Sequence, residues 1–201
     1  MISRNLALPA LVLALGACSS PTTGALFHPD GGYAGPSQPP AVALVWDVSP
    51  GATATTTCSV LDDTFTIGNP ETHVITASGS SFNGFSVSAS CSVSPNTTGY
   101  SVSADVRYGN EGELTFSGQI NVAPGAAPGV QTGIHGSFVD SIHTGVTSTL
   151  ADANCTISFT ANVNMGVAPG RIGAILDCPH ATGGGNVCEG HAEFVLENCA
   201  Q

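Results

Sequence analysis

The chain is predicted to be all-β, an antiparallel sandwich or small barrel stapled by disulfides and preceded by a disordered N-terminal tether. Three observations point there. Apolar residues recur with period two over several stretches, and Pro-Gly or Gly-rich punctuation separates those stretches. Seven cysteines occur in a chain of 201 residues, a density typical of domains stabilised by cross-links outside the reducing cytosol.

The clearest alternation is Phe85, Val87, Ala89, Cys91 and Val93 against Ser86, Ser88, Ser90 and Ser92. One set should face a core and the serines water, because successive side chains of a strand point to opposite faces. Tyr100 to Tyr108 and Leu114 to Val122 repeat the pattern. Between them Gly109-Asn110-Glu111-Gly112 supplies residues that tolerate positive φ, so the pair should form a hairpin. A later unit runs from Cys155 to Val163, turns through Gly166 and Ala168-Pro169-Gly170, and returns from Ile172 to Cys178. The segment from Ala192 to Cys199 reads as a closing strand. Earlier strands are expected at Ala41 to Val48, Thr53 to Val60, Thr64 to Ile67 and His73 to Ala77. Val139 to Leu150 has apolar residues at helical spacing, but Gly145 and its Thr and Val content favour a strand or loop. The expected β domain therefore covers residues 41–201.

Residues 19–40 are rich in Pro, Gly, Ser and Thr and have no hydrophobic period. A flexible coil of that length reaches roughly 25 Å, enough to hold a domain clear of a surface. Ala25-Leu26-Phe27-His28 is its one apolar interruption.

Ahead of the tether, Met1 to Asn5 carries one positive charge and Leu6 to Leu15 is an apolar run too short to span a bilayer as a helix. Leu15-Gly16-Ala17-Cys18 follows. This segment resembles the lipobox of bacterial lipoprotein precursors. The resemblance implies a signal peptide over residues 1–17, cleavage before Cys18, and acylation of Cys18 by a diacylglyceryl group and a further fatty acid such as palmitate. Residues 18–40 are then the lipidated cysteine and its tether. Several acyl chains exceed the affinity at which single-chain anchoring is reversible. Ser19, where an aspartate would mark inner-membrane retention, implies the outer membrane of the bacterial envelope.

Charge narrows the partners. Three basic residues, Arg4, Arg107 and Arg171, stand against fourteen acids, for a net charge of −11. Isolated arginines cannot displace counterions from nucleic-acid phosphates or hold a polybasic contact with anionic lipid. The membrane partner is thus reached through the lipid anchor, with no nucleic acid.

With Cys18 acylated, Cys58, Cys91, Cys155, Cys178, Cys188 and Cys199 remain, an even set that reads as three disulfides. Cys178 with Cys188 would close a short glycine-rich loop, leaving Cys58 with Cys91 and Cys155 with Cys199. The same stretch offers Cys178, His180, Cys188 and His191 as a tetrahedral zinc set; oxidation would remove both thiolates, and the spacing matches no known zinc pattern. Calcium suits the acidic balance, with oxygen ligands near turns at Asp62, Asp63, Asn110, Glu111, Asp152 and Asn154, but no calcium-binding motif is present. No cofactor is implied.

For hydrolysis, Asp140 and His143 with Ser137 or Ser141 supply the residue types of a triad without its signature elbow. The acidic pairs Asp62-Asp63 and Glu111 with Glu113 could serve a glycosidase only across a cleft. Trp46 reads as core. The sequence therefore predicts a lipid-anchored envelope protein with a non-enzymatic structural, binding or interaction role, toward an envelope protein or small hydrophobic ligand. A carrier of hydrophobic ligands and an envelope hydrolase are the alternatives.

Overall fold

A computed structural model describes residues 38–50, 58–59, 63–122, 128–141, 148–160 and 164–201. The expected signal segment, Cys18, most of the expected tether and the strand expected at Thr53 to Val60, apart from Cys58 and Ser59, lie outside the described residues. The described residues form twelve strands: β1 (Ala41–Ser49), β2 (Asp63–Ile67), β3 (Thr76–Ala77), β4 (Ser81–Phe82), β5 (Phe85–Pro95), β6 (Gly99–Tyr108), β7 (Gly112–Asn121), β8 (Gln131–Asp140), β9 (Ser148–Ser158), β10 (Gly166–Ala168), β11 (Arg171–Gly183) and β12 (Asn186–Glu197).

They form one antiparallel sheet in the order β2-β1-β12-β11-β9-β8-β7-β6-β5-β4, with β10 on β11 and β3 on β1. The sheet curls until its two sides nearly meet. Beyond β4, the free edge of β5 is covered by short pieces of chain rather than by a full strand. Val87 N donates to Ser80 O (2.8 Å), Val93 N to Ala200 O (2.8 Å), and Gly170 N to Val93 O (3.1 Å). Backbone groups that an open edge would leave to water or to another chain are thereby satisfied internally. The Cys91–Cys199 disulfide crosses the same seam. The architecture is a nearly closed barrel.

Its interior is packed. Val87, Ala89, Cys91 and Val93 of β5, and Val102, Ala104, Val106 and Tyr108 of β6, all point inward and are buried, as their alternation requires. Trp46 stacks on Phe65 with ring centroids 4.2 Å apart and also touches Phe138 at 5.8 Å. Phe116 meets Phe194 across the barrel at 4.7 Å. Glycine makes room for these rings: a Cβ on Gly112 would lie 2.7 Å from Trp46, and one on Gly190 2.3 Å from Phe138. Trp46 is core. Phe85, expected on the core face, is instead 39% exposed at the barrel mouth, its ring against Tyr108.

Along β5 and β6 this apolar-in, polar-out arrangement is the reverse of a transmembrane β-barrel, whose lipid-facing outside is apolar. Among the described residues no helix is long and apolar enough to cross a membrane.

Several strands depart from the sequence reading. The one expected at His73 to Ala77 is reduced to β3 (Thr76–Ala77), with His73 in a turn at positive φ (56°), and β12 begins at Asn186 rather than Ala192. β8, which no clean alternation announces, contains Gly133 and Gly136 and pairs with β9 through register shifts at Gln131/Ile134 and Ile134/Gly136. β11 continues past Cys178 to Gly183 and turns through Gly184 and Gly185, both at positive φ (58° and 84°). Consecutive positive φ values suit a tight hairpin whose twist matches the sheet.

Candidate functional site

The alternation that fills the interior places a continuous polar face on the outside of β5 to β9. The registers align it in rows. Ser92 lies opposite Ser103, Ser103 opposite Ser117, and Ser117 opposite His135. Beside this row run Ser90, Asp105, Thr115 and Ser137, and on the other side Ser94, Ser101 and Gln119. Small side chains along the middle leave two open depressions that meet at Ser117. One, of about 600 Å³, is lined by Thr115, Ser117, His135, Ser137, Ala151 and Thr182, among others. The second, of about 350 Å³, includes Ser92, Ser101, Ser103, Ser117 and Gln119.

The face differs along its length. At the end nearest the β5–β6 turn, Asn96, Ser101 and Gln119 bond to one another, with Asn96 Nδ2 donating to Gln119 Oε1 (2.6 Å) and Gln119 Nε2 to Ser101 Oγ (2.9 Å). Ser103 and Ser117, by contrast, are exposed, and their hydroxyls bond to no other group among the described residues. Nearby charge is partly compensated. Arg107 pairs with Asp105 (3.2 Å) and Glu113 (3.4 Å) on the flank. The hydrogen bonds that Arg107 donates to Asp105, followed by the charges of Asp105 and Glu113, raise the guanidinium pKa above its usual value.

Asp152, at the margin of the larger depression, is 8% exposed and committed to the backbone. Its Oδ1 accepts from Asn154 N (2.8 Å) and its Oδ2 from His180 N (3.0 Å). The carboxylate thus satisfies amides where β11 bulges between Cys178 and Ala181 against β12. Chemically, the middle of the face offers neutral donors and acceptors, with the carboxylates of Asp105, Glu113 and Asp152 at its flanks.

No protein-family model, no curated protein and no solved structure matches this chain.

All six described cysteines are oxidised, in pairs other than those expected: Cys58–Cys188, Cys91–Cys199 and Cys155–Cys178. Cys178 and Cys188 do lie on the two arms of a glycine-turned hairpin. The β11 bulge, however, sets Cys178 opposite Gly190 and Cys188 opposite Ala181. On the other side of β11, Thr156 faces Asp177 and Ile157 faces Leu176. The next step brings Cys155 to Cys178, with Cα atoms 4.2 Å apart. Gly136 lies against this bridge, since a Cβ there would sit 2.6 Å from Cys178 Sγ and 2.7 Å from Cys155 Sγ. Cys58 and Cys91 bond to Cys188 and Cys199 because the curled sheet, not sequence proximity, decides which chains meet.

The other sequence-derived sets are not assembled. The zinc set loses Cys178 and Cys188 to separate disulfides. His191 lies on the outer face, where its Nδ1 is 2.6 Å from Asp177 Oδ1. Among the described residues, no three His, Cys, Asp or Glu side chains are grouped to hold a metal. Of the calcium set, Asp152 is occupied as above and Asp62 lies outside the described residues. Ser137 is on the outer face and half-buried, whereas Asp140 is buried at 3% exposure; His143 lies outside the described residues. The hydroxyl-lined face escaped the sequence reading as a site. The serine alternation was its visible signal, but the rows exist only once strand register is known.

Proposed function

We infer that the protein is a lipid-anchored envelope lipoprotein whose β-barrel serves as a non-enzymatic binding module. The anchor reading rests on Leu15-Gly16-Ala17-Cys18. What the fold adds is a direction. The chain joins the barrel at Pro39 and Pro40, where Asn198 Nδ2 donates to Pro39 O (3.2 Å) and Ser78 N to Pro40 O (2.7 Å). That is the end at which β1 begins and β12 finishes. A tether from Cys18 would therefore hold this end toward the membrane, leaving the sides of the barrel and the β6–β7 and β11–β12 turns facing away.

The single observation that carries the binding role is the exposed row Ser103, Ser117 and His135, polar groups on a covalently braced sheet. A carrier role draws less support, because the rings of Trp46, Phe65, Phe138, Phe116 and Phe194 occupy the interior. Replacing Cys18 with Ala tests the anchor. Expected is loss of acylation and of membrane association in fractionated bacteria, with the melting temperature of the barrel unchanged. Unaltered processing and membrane association of the variant would refute the reading.

A further inference from the structure

We propose that the two depressions meeting at Ser117 form one site for an uncharged, extended oligosaccharide. The proposal deepens the binding-module reading and is independent of the lipid anchor.

The lining spans β5, β6, β7, β8, β9 and β11, from Ser92 to Thr182. Six neighbouring strands at about 4.8 Å spacing give a path of roughly 24 Å across the sheet, room for several linked sugar units. Along this path the polar side chains are hydroxyls, one amide, one imidazole and, at one margin, the Asp152 carboxylate held by two backbone amides, beside apolar contacts from Val102, Phe116, Ala151 and Ala153. A serine or threonine hydroxyl both donates and accepts a hydrogen bond, and so does a sugar hydroxyl. Rows of one can therefore match rows of the other, directly or through bridging water.

Competing ligand classes fit less well. An anionic chain would meet a protein with fourteen acids and three bases, and Arg107, the cation closest in register to the rows, is already held by Asp105 and Glu113. A cation would find Asp152 turned to two backbone amides. An apolar ligand lacks a surface, since Phe116 is 3% exposed beneath the floor. A protein partner would want exposed aromatic or arginine anchors at the centre, and small hydroxyls are there instead. Ala151 and Ala153, both exposed at one margin of the larger depression, give the small apolar contact that a sugar's C–H face or an acetamido methyl would take.

The test is calorimetric titration of the full chain in detergent with chitohexaose, cellohexaose and hexagalacturonate. The expected result is saturable binding of at least one neutral hexamer and much weaker binding of the anionic one. Ser117→Trp, which fills the meeting point from the solvent side, should weaken that binding by about tenfold or more. Ser86→Trp, on β5 away from the lining, should leave it unchanged. His135→Ala is a second, smaller change that should also weaken binding should the tryptophan variant fail to fold. The proposal is overturned if neither neutral hexamer binds, if hexagalacturonate binds as tightly, or if both site variants bind like the parent. Because acylation plays no part in the assay, a failed glycan titration leaves the anchor reading standing, and a failed anchor leaves the titration valid.

Discussion

The β5–β7 quarter and the β8–β9–β11 quarter belong to one sheet but are held together by different means. In the first, three strands pair without a register break from Val87 to Asn121. Inward apolar and outward polar residues alternate, and almost any small polar residue could occupy the outer rows. In the second, β8 and β9 slip against each other and β11 bulges. There the sheet is secured by the Cys155–Cys178 bridge, the buried carboxylate of Asp152, and Gln131, whose Oε1 accepts from Asn121 N (2.8 Å) and whose Nε2 donates to Gly129 O (2.8 Å). Regular pairing spreads stability over many interchangeable contacts; bulged pairing concentrates it in a few side chains without substitutes.

The largest expected effect falls on the seam that joins the regular quarter to the rest. Removing the Cys91–Cys199 bridge as Cys91→Ala with Cys199→Ala should cost about 4 kcal/mol, given its sequence separation of 108 and the loop-entropy account of cross-links. Denaturant unfolding checks this. Next comes a paired comparison of the two quarters. Asp152→Ala leaves the amides of Asn154 and His180 without their acceptor and should cost about 2–3 kcal/mol. Ser90→Ala, on the outer face of β5, should change stability by about 0.5 kcal/mol or less. Equal costs for the two would dissolve the distinction.

The smallest effect concerns pH. Burial, reinforced by Glu71 and opposed by His191, raises the pKa of Glu193 above its usual value. Its neutral form is therefore favoured in the fold. The associated stability is present below the usual carboxyl pKa and is lost as pH rises through the folded value, because the unfolded chain ionises first. Glu193→Gln should leave thermal stability unchanged at about pH 3 and raise it slightly at neutral pH. A gain confined to acid pH would reverse the assignment.

The same contrast explains what was legible in the sequence. β5, β6, β7 and the Gly109 turn could be read directly, because unbroken alternation is a local signal. β8 could not, since Gly133, Gly136 and two register shifts erase the period. The disulfide partners were hidden for a related reason: which side chains meet across a curled sheet depends on register and on the bulge after Cys178, not on the spacing of cysteines. For the candidate site, the serines were visible but their alignment into Ser92, Ser103, Ser117 and His135 was not. The lipobox-like segment Leu15-Gly16-Ala17-Cys18 is the opposite case, a short linear pattern whose proposed role as an anchor rests on no fold.

Peptide mass spectrometry of the protein extracted from bacterial membranes, digested without reduction, bears most directly on the account of a lipid-anchored, cross-linked barrel. The predicted result is an acylated N-terminal Cys18 together with linked peptides joining Cys58 to Cys188, Cys91 to Cys199 and Cys155 to Cys178. An unmodified Cys18, or a peptide joining Cys178 to Cys188, would contradict it.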